Sequence, residues 1–459
     1  MDSKTRPENQ SPERPGELEG LSLLERGDPA LTGGSSSLSR RQFALLSARV
    51  LGGAVLGLGM ASCRKKPPRK ECVEAPRVQT ETQTYAGSES TLLAGTETSF
   101  PLLEVSGAPY DIGQTIGKTF AEDIRKSFEK RAAWFKALRE FADAQPPSVY
   151  ATFEAAAKKH TPTVFEELRG WADGSGVPLR DLMILNLKAE YEALRDAELR
   201  KAGKQAPGCS TVVLKDGRRI IIAHNEDGSG AYQEHMFMLK VHPAGKPSFI
   251  TASYPGILPG NAPWINDRGI AMTTNFIYTK EVRVGVGRYF LDRLAMESST
   301  IDEALAVSRN PDRAYAFHHV IGSVLDARVV SLEVTPTLDE LIEIEGVFIH
   351  TNHLVAPVIA KASQDNQDVS TSSATRWGVL SKWKEGLPKG LDKITPETIM
   401  DPLVSHEGKP YSPCRHPEGD IDGATLLTAV FDFDAKTMTV YKKQPCNDNS
   451  TDYPFPARM

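Results

Sequence analysis

The order of hydrophobic and polar residues divides this chain into a helical part and a part rich in strands. Ile112 and Ile116, for example, have the spacing that places side chains on one face of an amphipathic helix. Similar periods predict helices through most of residues 100–200. After Cys209, short runs of β-branched and aromatic residues bounded by turn residues predict strands. The predicted strands are FPLLEV before the helices and then STVVL, RIIIAHN, EHMFMLKVHP, SFITAS, GIAMTTNFI, HHVIGSVLDA, VVSLEVTP, LIEIEGVFIHTN, ATLLTAVFDFD and TMTVYKKQP, with helices between them at 288–308 and 374–386.

Helices followed by many strands indicate the α+β fold class, with long antiparallel sheets and helices packed outside them. Changes of composition set the expected boundaries. Residues 1–62 combine a leader rich in Pro, Glu, Gly and Ser, which we expect to be disordered, with an export signal. Residues 63–99 have the Pro, Lys, Thr and Ser content of a flexible tether. The body then comprises a mostly helical segment at 100–208 and a strand-rich segment at 209–459.

The segment from Ser39 to Cys63 has the features of an export signal. Its SRRQFAL sequence resembles a twin-arginine (Tat) signal, and MASC, which ends at Cys63, resembles a bacterial lipobox. The apolar run from Val50 to Ser62 is too short to span a bilayer comfortably. These resemblances imply export by the Tat machinery and a membrane anchor through lipid on Cys63, facing the periplasm or exterior of a bacterial cell. An uncleaved amphipathic anchor and a soluble exported protein are the alternatives.

The composition is that of an ordinary globular protein, with 40% hydrophobic and 25% charged residues among 459. A formal net charge of −5 gives no sign of the basic surface that binds nucleic acid. An odd number of scattered cysteines argues against a disulfide scaffold and favours individual roles for some of them. Cys414 and Cys446 are able to pair in an oxidising compartment, and the sequence leaves this open. The five cysteines are Cys63, Cys72, Cys209, Cys414 and Cys446.

The stretch APGCSTVVLKDGRRIIIAHNEDG predicts a β-hairpin with Cys209 before its first strand and Asp227 near the end of its second. A cysteine nucleophile needs a base or a lowered thiol pKa, and no histidine lies within ten residues of Cys209. Cleavage before Cys209 would supply an α-amino group, whose pKa of about 7.7–8.0 suits a base. Gly208 has no side chain, so the thiol can approach its carbonyl for an N-to-S acyl shift, and Asp227 would orient the new amine. A buried structural cysteine is the alternative.

A second constellation, IHTNH, ends a predicted strand. His350 and His353 invite a zinc interpretation, but no cysteine or acidic residue stands at a recognised ligand spacing, so we expect no metal there. The side-chain amides of Asn352 and of Asn275, in GIAMTTNFI, can each donate to the oxyanion of an acyl-transfer reaction. Turn or capping hydrogen bonds are the alternative for both.

The segment YSPCRHPEGD places Cys414, Arg415 and His416 in succession. Three roles are compatible with these residue types: catalysis, metal binding, and a loop in which Arg415 forms a salt bridge. For the segment alone, the loop is the simplest interpretation.

Taken in order, eleven segments resemble the acyl-CoA:6-aminopenicillanic acid acyltransferase family (peptidase C45) of N-terminal nucleophile (Ntn) hydrolases. Bile salt hydrolases and penicillin V acylases are more distant relatives. The resemblance extends from about Ser106 to about Tyr453, and Asp227 follows Cys209 by eighteen residues. The motifs that carry it are GAPYDIGQTIG, LNLKAEYE, GCSTVVL, AHNED, NDRGIAMTTN, RLAMESSTIDEAL, HTNH, SSATR, SPCRH, GATLLTAVFD and QPC.

The resemblance implies an αββα sandwich, two antiparallel sheets between helical layers, that is made as one precursor. Self-cleavage would fall between Gly208 and Cys209 and leave Cys209 as the nucleophile. Asp227 would fix the α-amino group of Cys209. Asn352 corresponds to the oxyanion donor of the family, and Asn275 falls where related enzymes place another polar residue near the nucleophile.

One position departs from the family pattern. Where the penicillin-forming enzyme has a Ser-Arg pair directly before GATL, this chain has Ile421 and Asp422, so Arg415 would have to supply the missing positive charge. This departure, together with export away from intracellular CoA, weakens the prediction of a CoA-dependent acyltransferase.

We therefore expect an exported, self-processing amidohydrolase that acts, without a cofactor, on a small linear amide such as an N-acyl amine, an N-acyl amino acid or a peptide. Acyl transfer to an amine acceptor is the first alternative. A lipid-tethered binding protein without turnover, and a zinc hydrolase that uses His350 and His353, are less favoured.

Overall fold

A computed structural model of the chain describes residues 80–85, 88–195 and 208–457. The predicted leader and export signal at 1–62, together with the predicted lipid site Cys63, lie outside the described residues. The described residues belong to one compact unit, Glu74–Met459. Among them, no helix combines the length and the apolar character that crossing a membrane requires.

Helices concentrate before residue 196 and strands after residue 209, as the hydrophobic pattern predicts. Proline divides the helical part, since Pro147 and Pro162 each occupy the first turn of a new helix, where the missing N–H costs nothing. The helices are α1 (Pro109–Thr119), α2 (Ala121–Lys130), α3 (Ala132–Ala144), α4 (Pro147–His160), α5 (Pro162–Ser175), α6 (Leu179–Asn186), α7 (Lys188–Arg195), α8 (Arg288–Ala295), α9 (Ile301–Ser308), α10 (Pro357–Ala362), α11 (Thr371–Glu385) and α12 (Pro396–Met400). The strands are β1 (Thr80–Tyr85), β2 (Ser88–Leu93), β3 (Leu102–Gly107), β4 (Ser210–Asp216), β5 (Arg219–Ser229), β6 (Phe237–Pro243), β7 (Phe249–Ser253), β8 (Trp264–Asn266), β9 (Ile270–Phe276), β10 (Phe317–Ser323), β11 (Arg328–Val334), β12 (Asp339–Glu343), β13 (Gly346–His350), β14 (Gly423–Asp432), β15 (Thr437–Lys442) and β16 (Ser450–Pro454).

The strands form two sheets. The larger sheet has ten strands in the order β1-β2-β3-β6-β7-β8-β9-β10-β11-β12, and the smaller has six in the order β13-β4-β5-β14-β15-β16. Pairing between these strands is antiparallel except between β3 and β6, which run parallel. Two largely antiparallel sheets combined with helices make a mixed architecture that is compatible with the Ntn-type fold implied by the sequence.

Both faces of β5, an interior strand of the smaller sheet, are buried. Ile220 and Ile222 join a large hydrophobic cluster that also contains side chains of the larger sheet and of α1 and α5. Ile221 and Ala223 point the other way, because successive strand residues face opposite sides, and join a second cluster with side chains of α11 and α12. The continuous apolar run IIIA is therefore explained by burial on both sides.

The hairpin of β4 and β5 forms where the KDG turn predicts it. Asp216 pairs with Arg219 across a two-residue loop in which Gly217 has φ 58°. Glycine adopts this left-handed conformation without steric cost. Because β4 lies between β13 and β5, its first residue begins an interior strand.

The structure differs from the prediction before residue 100. The sequence pattern predicts a tether over residues 63–99, whereas β2 pairs along its length with β3, and Ser88 and Ser90 are buried. The hydrogen bonds of this strand come from the backbone, so the strand forms although its Ser and Thr side chains do not give the apolar pattern that predicts one.

A second difference concerns the run LIEIEGVFIHTN, which the pattern predicts as one strand. It forms two strands in different sheets: β12 in the larger and β13 in the smaller. Gly346, with φ 72°, provides the change of direction between them.

Candidate active site

The site is built around Cys209, which directly precedes β4 and is only 6% exposed. The register of the hairpin pairs Ser210 with Asn225, so Cys209 faces Glu226 one step further along. Cys209 Sγ lies 3.8 Å from Glu226 Oε2 and donates its S–H to that oxygen. The polar side chain that contacts the thiol is thus a carboxylate, which the sequence analysis did not select.

Several side chains hold the Glu226 carboxylate in place. Its Oε1 accepts from the Tyr254 hydroxyl at 2.5 Å and from Asn261 Nδ2 at 3.1 Å. Its Oε2 lies 3.1 Å from His224 Nε2, and His224 Nδ1 lies 2.8 Å from the Thr211 hydroxyl. A buried charge requires such partners, so this network gives Glu226 one defined orientation against the thiol.

The surroundings keep the thiol protonated in the intact chain. Burial, followed by the negative charges of Glu226 and Asp227, raises the pKa of the Cys209 thiol well above its ordinary value. A nucleophilic thiolate therefore needs a proton acceptor beside it. Glu226 has the position of such an acceptor.

The backbone nitrogen of Cys209 has its own partner in Asn352. The amide N–H donates to Asn352 Oδ1 at 2.9 Å, and the same oxygen accepts from Arg376 Nη2 at 2.7 Å. Two donors on one atom identify it as oxygen and fix the orientation of the amide. Asn352 Nδ2 in turn donates to the carbonyl of Phe276 at 2.8 Å. The structure therefore places Asn352 on the nitrogen of residue 209, while its predicted role as oxyanion donor stays a prediction.

Arg376 is a second candidate that the sequence analysis did not select. Its side chain is fully buried, and Nη1 donates to the Cys209 carbonyl and, at 3.0 Å, to Ser210 Oγ. Burial lowers the pKa of Arg376 to about 10, so the guanidinium remains charged at neutral pH. The motif SSATR contains it, but no local pattern in the sequence indicates that this turn of α11 lies against Cys209.

Gly208 is packed against the same two side chains. A Cβ on residue 208 would lie 2.2 Å from Arg376 Nη2 and 2.3 Å from Asn352 Oδ1. Unbonded heavy atoms do not approach so closely, so a larger residue fits only if these side chains move. Glycine at this position is therefore favoured for a steric reason, in addition to the approach of the thiol to its carbonyl that the sequence predicts.

Asp227 lies one residue beyond Glu226 on β5, and its carboxylate has different partners. Its Oδ1 accepts from the Thr425 hydroxyl at 2.8 Å, and its buried Oδ2 has no partner among the described residues. Burial raises the pKa of Asp227, and the charges of Arg415 and Arg376 oppose that shift. The described contacts include no hydrogen bond from the Cys209 nitrogen to Asp227, so its predicted role in holding the amine stays a prediction.

Asn275, on β9, is joined to the first strand of the hairpin. Its Oδ1 accepts from the Thr211 hydroxyl at 2.8 Å and lies 3.2 Å from His318 Nδ1. Its Nδ2 is buried without an acceptor among the described residues. Buried donors without partners are rare in folded proteins, which distinguishes this amide from that of Asn352, whose oxygen and nitrogen are both paired.

Arg415 lies in the same network and not on the surface. It is 1% exposed, and one of its Nη atoms donates to the Ser372 hydroxyl, which lies 3.4 Å from Arg376 Nε. Its backbone N–H donates to Thr425 Oγ1 at 2.9 Å, the hydroxyl that also bonds Asp227. The segment is a loop, as predicted, but no salt bridge of Arg415 occurs among the described residues.

The two histidines of IHTNH do not share a ligand position. His350 Nε2 lies 2.8 Å from Glu333 Oε1, and its ring stacks on that of His318 with 3.4 Å between centroids. His353 Nδ1 lies 2.8 Å from Ser373 Oγ. These separate partners give both imidazoles structural roles.

Comparison with known proteins defines the class as an Ntn-type hydrolase or acyltransferase. The chain belongs to the family described as Acyl-coenzyme A:6-aminopenicillanic acid acyl-transferase, whose sequence model matches residues 213–447, just over half of the chain. The match begins four residues after Cys209. The chain is also similar to a beta-alanyl-dopamine/carcinine hydrolase of Drosophila melanogaster, with 24% identity over 373 residues that cover 75% of this chain and 93% of the relative. The family resemblance predicted from the sequence motifs is thereby confirmed.

Proposed function

We propose that the protein is a self-processing amide hydrolase in which Cys209 is the nucleophile. The observation that carries this proposal is the pair of acceptors at Cys209: Glu226 Oε2 contacts the thiol, and Asn352 Oδ1 binds the nitrogen at 2.9 Å. The thiol and the amine of one residue are the two groups that this chemistry uses. Each of them has an oriented partner.

Self-cleavage begins when Glu226 takes the thiol proton and Cys209 Sγ attacks the Gly208 carbonyl carbon. The bond from that carbon to the Cys209 nitrogen breaks as the nitrogen gains a proton, which leaves a thioester and a free amine. Water then hydrolyses the thioester, giving a carboxylate on Gly208 and the free thiol. Because Gly208 has no side chain, Arg376 and Asn352 can lie close to the bond that breaks.

The new α-amine of Cys209 serves as the base for turnover. Its unperturbed pKa of about 7.7–8.0 leaves part of it neutral near pH 7, and Asn352 Oδ1 orients it. The amine accepts the thiol proton, Sγ attacks the substrate amide, and the proton passes to the leaving amine. Water then releases the acyl group as an acid. We assign oxyanion stabilisation to Asn275 Nδ2, which has no acceptor among the described residues, and to the charge of Arg376.

Two observations support hydrolysis rather than acyl transfer. The Drosophila relative is named as a hydrolase. In addition, this chain lacks the Ser-Arg pair that the penicillin-forming enzyme has directly before GATL. One of the two positions is occupied by Asp422, an acidic residue that accepts a hydrogen bond from the Ser229 hydroxyl. Acyl transfer, which the family description supports, is the second candidate. It predicts product only when an amine acceptor is added, whereas hydrolysis gives free acid without one.

For the substrate, we propose an amide that carries a carboxylate, such as an N-acyl amino acid or a peptide. Lys188 Nζ lies 5.9 Å from the ring centre of Tyr232, with no carboxylate at ion-pair distance among the described residues. Tyr232 packs edge-on against Tyr254, which binds Glu226. Burial lowers the pKa of Lys188 to about 8, so it is mostly protonated at neutral pH. A cation of this kind beside the Glu226 network is suited to bind an anionic substituent.

Export remains part of the proposal, on the strength of SRRQFAL and MASC. Replacing Arg40 and Arg41 with lysine should block Tat export, so that the protein stays in the cytoplasm. A Cys63→Ala variant should be exported without its lipid and leave the membrane fraction. Normal export of the lysine variant would contradict the Tat assignment.

Intact mass spectrometry of the expressed body tests the central proposal. We expect two chains, the larger beginning at Cys209, and a single uncut chain for Cys209→Ala. An electrophilic acyl probe should label the larger chain and fail to label the variant. An uncut wild-type protein would overturn self-processing, and labelling that persists in Cys209→Ala would place the nucleophile elsewhere.

A further inference from the structure

A second group of sulfur and nitrogen atoms lies close together, apart from the group that surrounds Cys209. His406, Cys414, His416 and Cys446 each offer one ligand atom, and these four atoms lie within 4.8 Å of one another. His416 Nε2 lies 3.7 Å from Cys414 Sγ and 3.3 Å from Cys446 Sγ. The rings of His406 and His416 are 5.0 Å apart between centroids.

We propose that these four residues, here called the Cys2His2 cluster, bind a structural Zn²⁺ ion. Zinc in structural sites takes four cysteine and histidine ligands in a tetrahedron, with bonds of about 2.0–2.3 Å that separate neighbouring ligand atoms by about 3.4–3.8 Å. Both separations from His416 Nε2 are close to that range. The remaining adjustment falls to the side chains of His406 and Cys446, which are exposed, whereas Cys414 is buried.

The composition of the cluster favours a metal over a disulfide. Cys414 and Cys446 are free in the structure. A bond between their sulfurs would use two of the four converging groups and leave both imidazoles unexplained. A zinc ion uses all four, and two thiolates with two imidazoles are a donor set that zinc prefers over hard cations. Each thiol releases its proton to solvent as its sulfur–zinc bond forms.

The metal would join two separate segments of the chain around Arg415. Cys414 and His416 flank Arg415, whereas Cys446 follows β15. The Arg415 carbonyl already accepts from the Thr425 backbone N–H at 3.0 Å and from Gln444 Nε2 at 3.3 Å. Zinc would lock this junction and so fix the backbone from which the Arg415 guanidinium reaches Ser372. The ion would act on the active site through position alone, and its presence does not depend on the proposed function.

Metal analysis of the full chain tests the proposal. Protein purified with zinc and dialysed against metal-free buffer should retain about one zinc per chain, measured by inductively coupled plasma mass spectrometry. Cys446→Ser and His406→Ala, both at exposed positions, should lose most of it while their circular dichroism spectra remain unchanged. With Co²⁺ in place of zinc, the wild type should show thiolate-to-cobalt charge-transfer bands and the intense visible bands of a tetrahedral ion.

A matched control is Cys209→Ser, because Cys209, His224 and Glu226 are another described group with metal-ligand distances. This variant should keep its zinc. Zinc that is lost from Cys209→Ser but retained by Cys446→Ser would overturn the proposal, as would wild-type protein without stoichiometric metal. A non-reduced mass lighter by two hydrogens, mapped to a peptide linking Cys414 with Cys446, would show a disulfide instead. If both ligand variants fail to fold, the cobalt spectrum of the wild type still decides, since the absence of thiolate bands overturns the site.

Discussion

The Cys209 site and the Cys2His2 cluster contain the same kind of nucleophilic atom in opposite surroundings. Cys209 is a single buried thiol that contacts a carboxylate, with an amide oxygen on its nitrogen. Cys414 and Cys446 form a pair of thiols beside two imidazoles, with Cys446 open to solvent. A carboxylate beside a single thiol can accept the thiol proton, whereas two thiols beside two imidazoles supply the donor set of a structural zinc site. Under the two proposals, the neighbouring groups give each cysteine its role: Cys209 as a nucleophile, and Cys414 and Cys446 as metal ligands.

The largest expected effect concerns the carboxylate that defines the Cys209 site. Glu226→Gln keeps the shape of the side chain but cannot take the thiol proton, so self-cleavage should slow by about 10²- to 10⁴-fold, the usual contribution of general-base catalysis. Time-resolved intact mass spectrometry of freshly expressed precursor measures this rate. Glu234→Gln is the matched control, because Glu234 forms an exposed ion pair with Lys443 and should have no effect. Equal rates for Glu226→Gln and wild type would remove Glu226 from the mechanism.

Gly208→Ala tests the steric side of the same site. The added methyl group would displace Arg376 or Asn352, and overpacking of this kind costs about 1–3 kcal/mol. We expect cleavage to slow by about 5- to 150-fold if that energy is lost from the reactive arrangement. Gly378→Ala serves as control, since a Cβ there meets no atom within 4 Å. Unimpaired cleavage of Gly208→Ala, measured by gel mobility, would show that the two side chains are not needed in their present positions.

The charge of Lys188 should affect substrate binding rather than the thiol. With its pKa lowered to about 8, Lys188 is charged below that pH and neutral above it, so KM for a carboxylate-bearing amide should rise as the pH increases through about 8. A Lys188→Met variant should raise KM about tenfold at pH 7, as expected for a hydrogen bond to a charged group, and should abolish this pH dependence.

The pH dependence of KM from pH 6 to 10 measures this effect, with an uncharged amide substrate and Lys382→Met as controls. Lys382 lies on the surface in an ion pair with Glu407. An unchanged KM in Lys188→Met would refute the anionic substrate.

Removal of zinc from the Cys2His2 cluster should have the smallest effect. A ligand at one hundred times its Kd stabilises the folded state by about 2.7 kcal/mol, so chelation should lower the melting temperature by a few degrees. Turnover should fall less than tenfold, because the ion acts only through the position of Arg415. Differential scanning calorimetry with and without chelator checks this, and Cys446→Ser should no longer respond. Complete loss of activity on chelation would instead make the metal part of the catalytic site.

The hairpin shows how far the sequence determines the site. The KDG turn fixes Asp216 opposite Arg219, and seven further steps along each strand bring Cys209 opposite Glu226. The position of the turn alone is sufficient to predict this pairing of residues. The sequence-based prediction instead placed Asp227 at the cysteine, first from its position near the end of the second strand and then from the family resemblance, whereas in the structure Glu226 contacts the thiol.

Other parts of the site depend on tertiary contacts that no local pattern encodes. Arg376 reaches the Cys209 carbonyl from a helix far along the chain, and Cys446 meets His416 across thirty residues. Packing of α11 on the smaller sheet and the return of the chain after β15 create these contacts. The β12 and β13 strands are a further example. The periodicity of their residues predicts strands, but it does not indicate that these consecutive strands belong to different sheets.

The parallel pairing of β3 with β6 would determine how a chain cleaved after Gly208 refolds. Cleavage after Gly208 would separate β3 from β6 covalently, yet their six paired residues remain within one sheet. The precursor folds as one molecule, but the mature protein would have to find its partner chain again after denaturation. Its recovery would then depend on protein concentration, and its durability would be set by the rate of unfolding rather than by a reversible equilibrium.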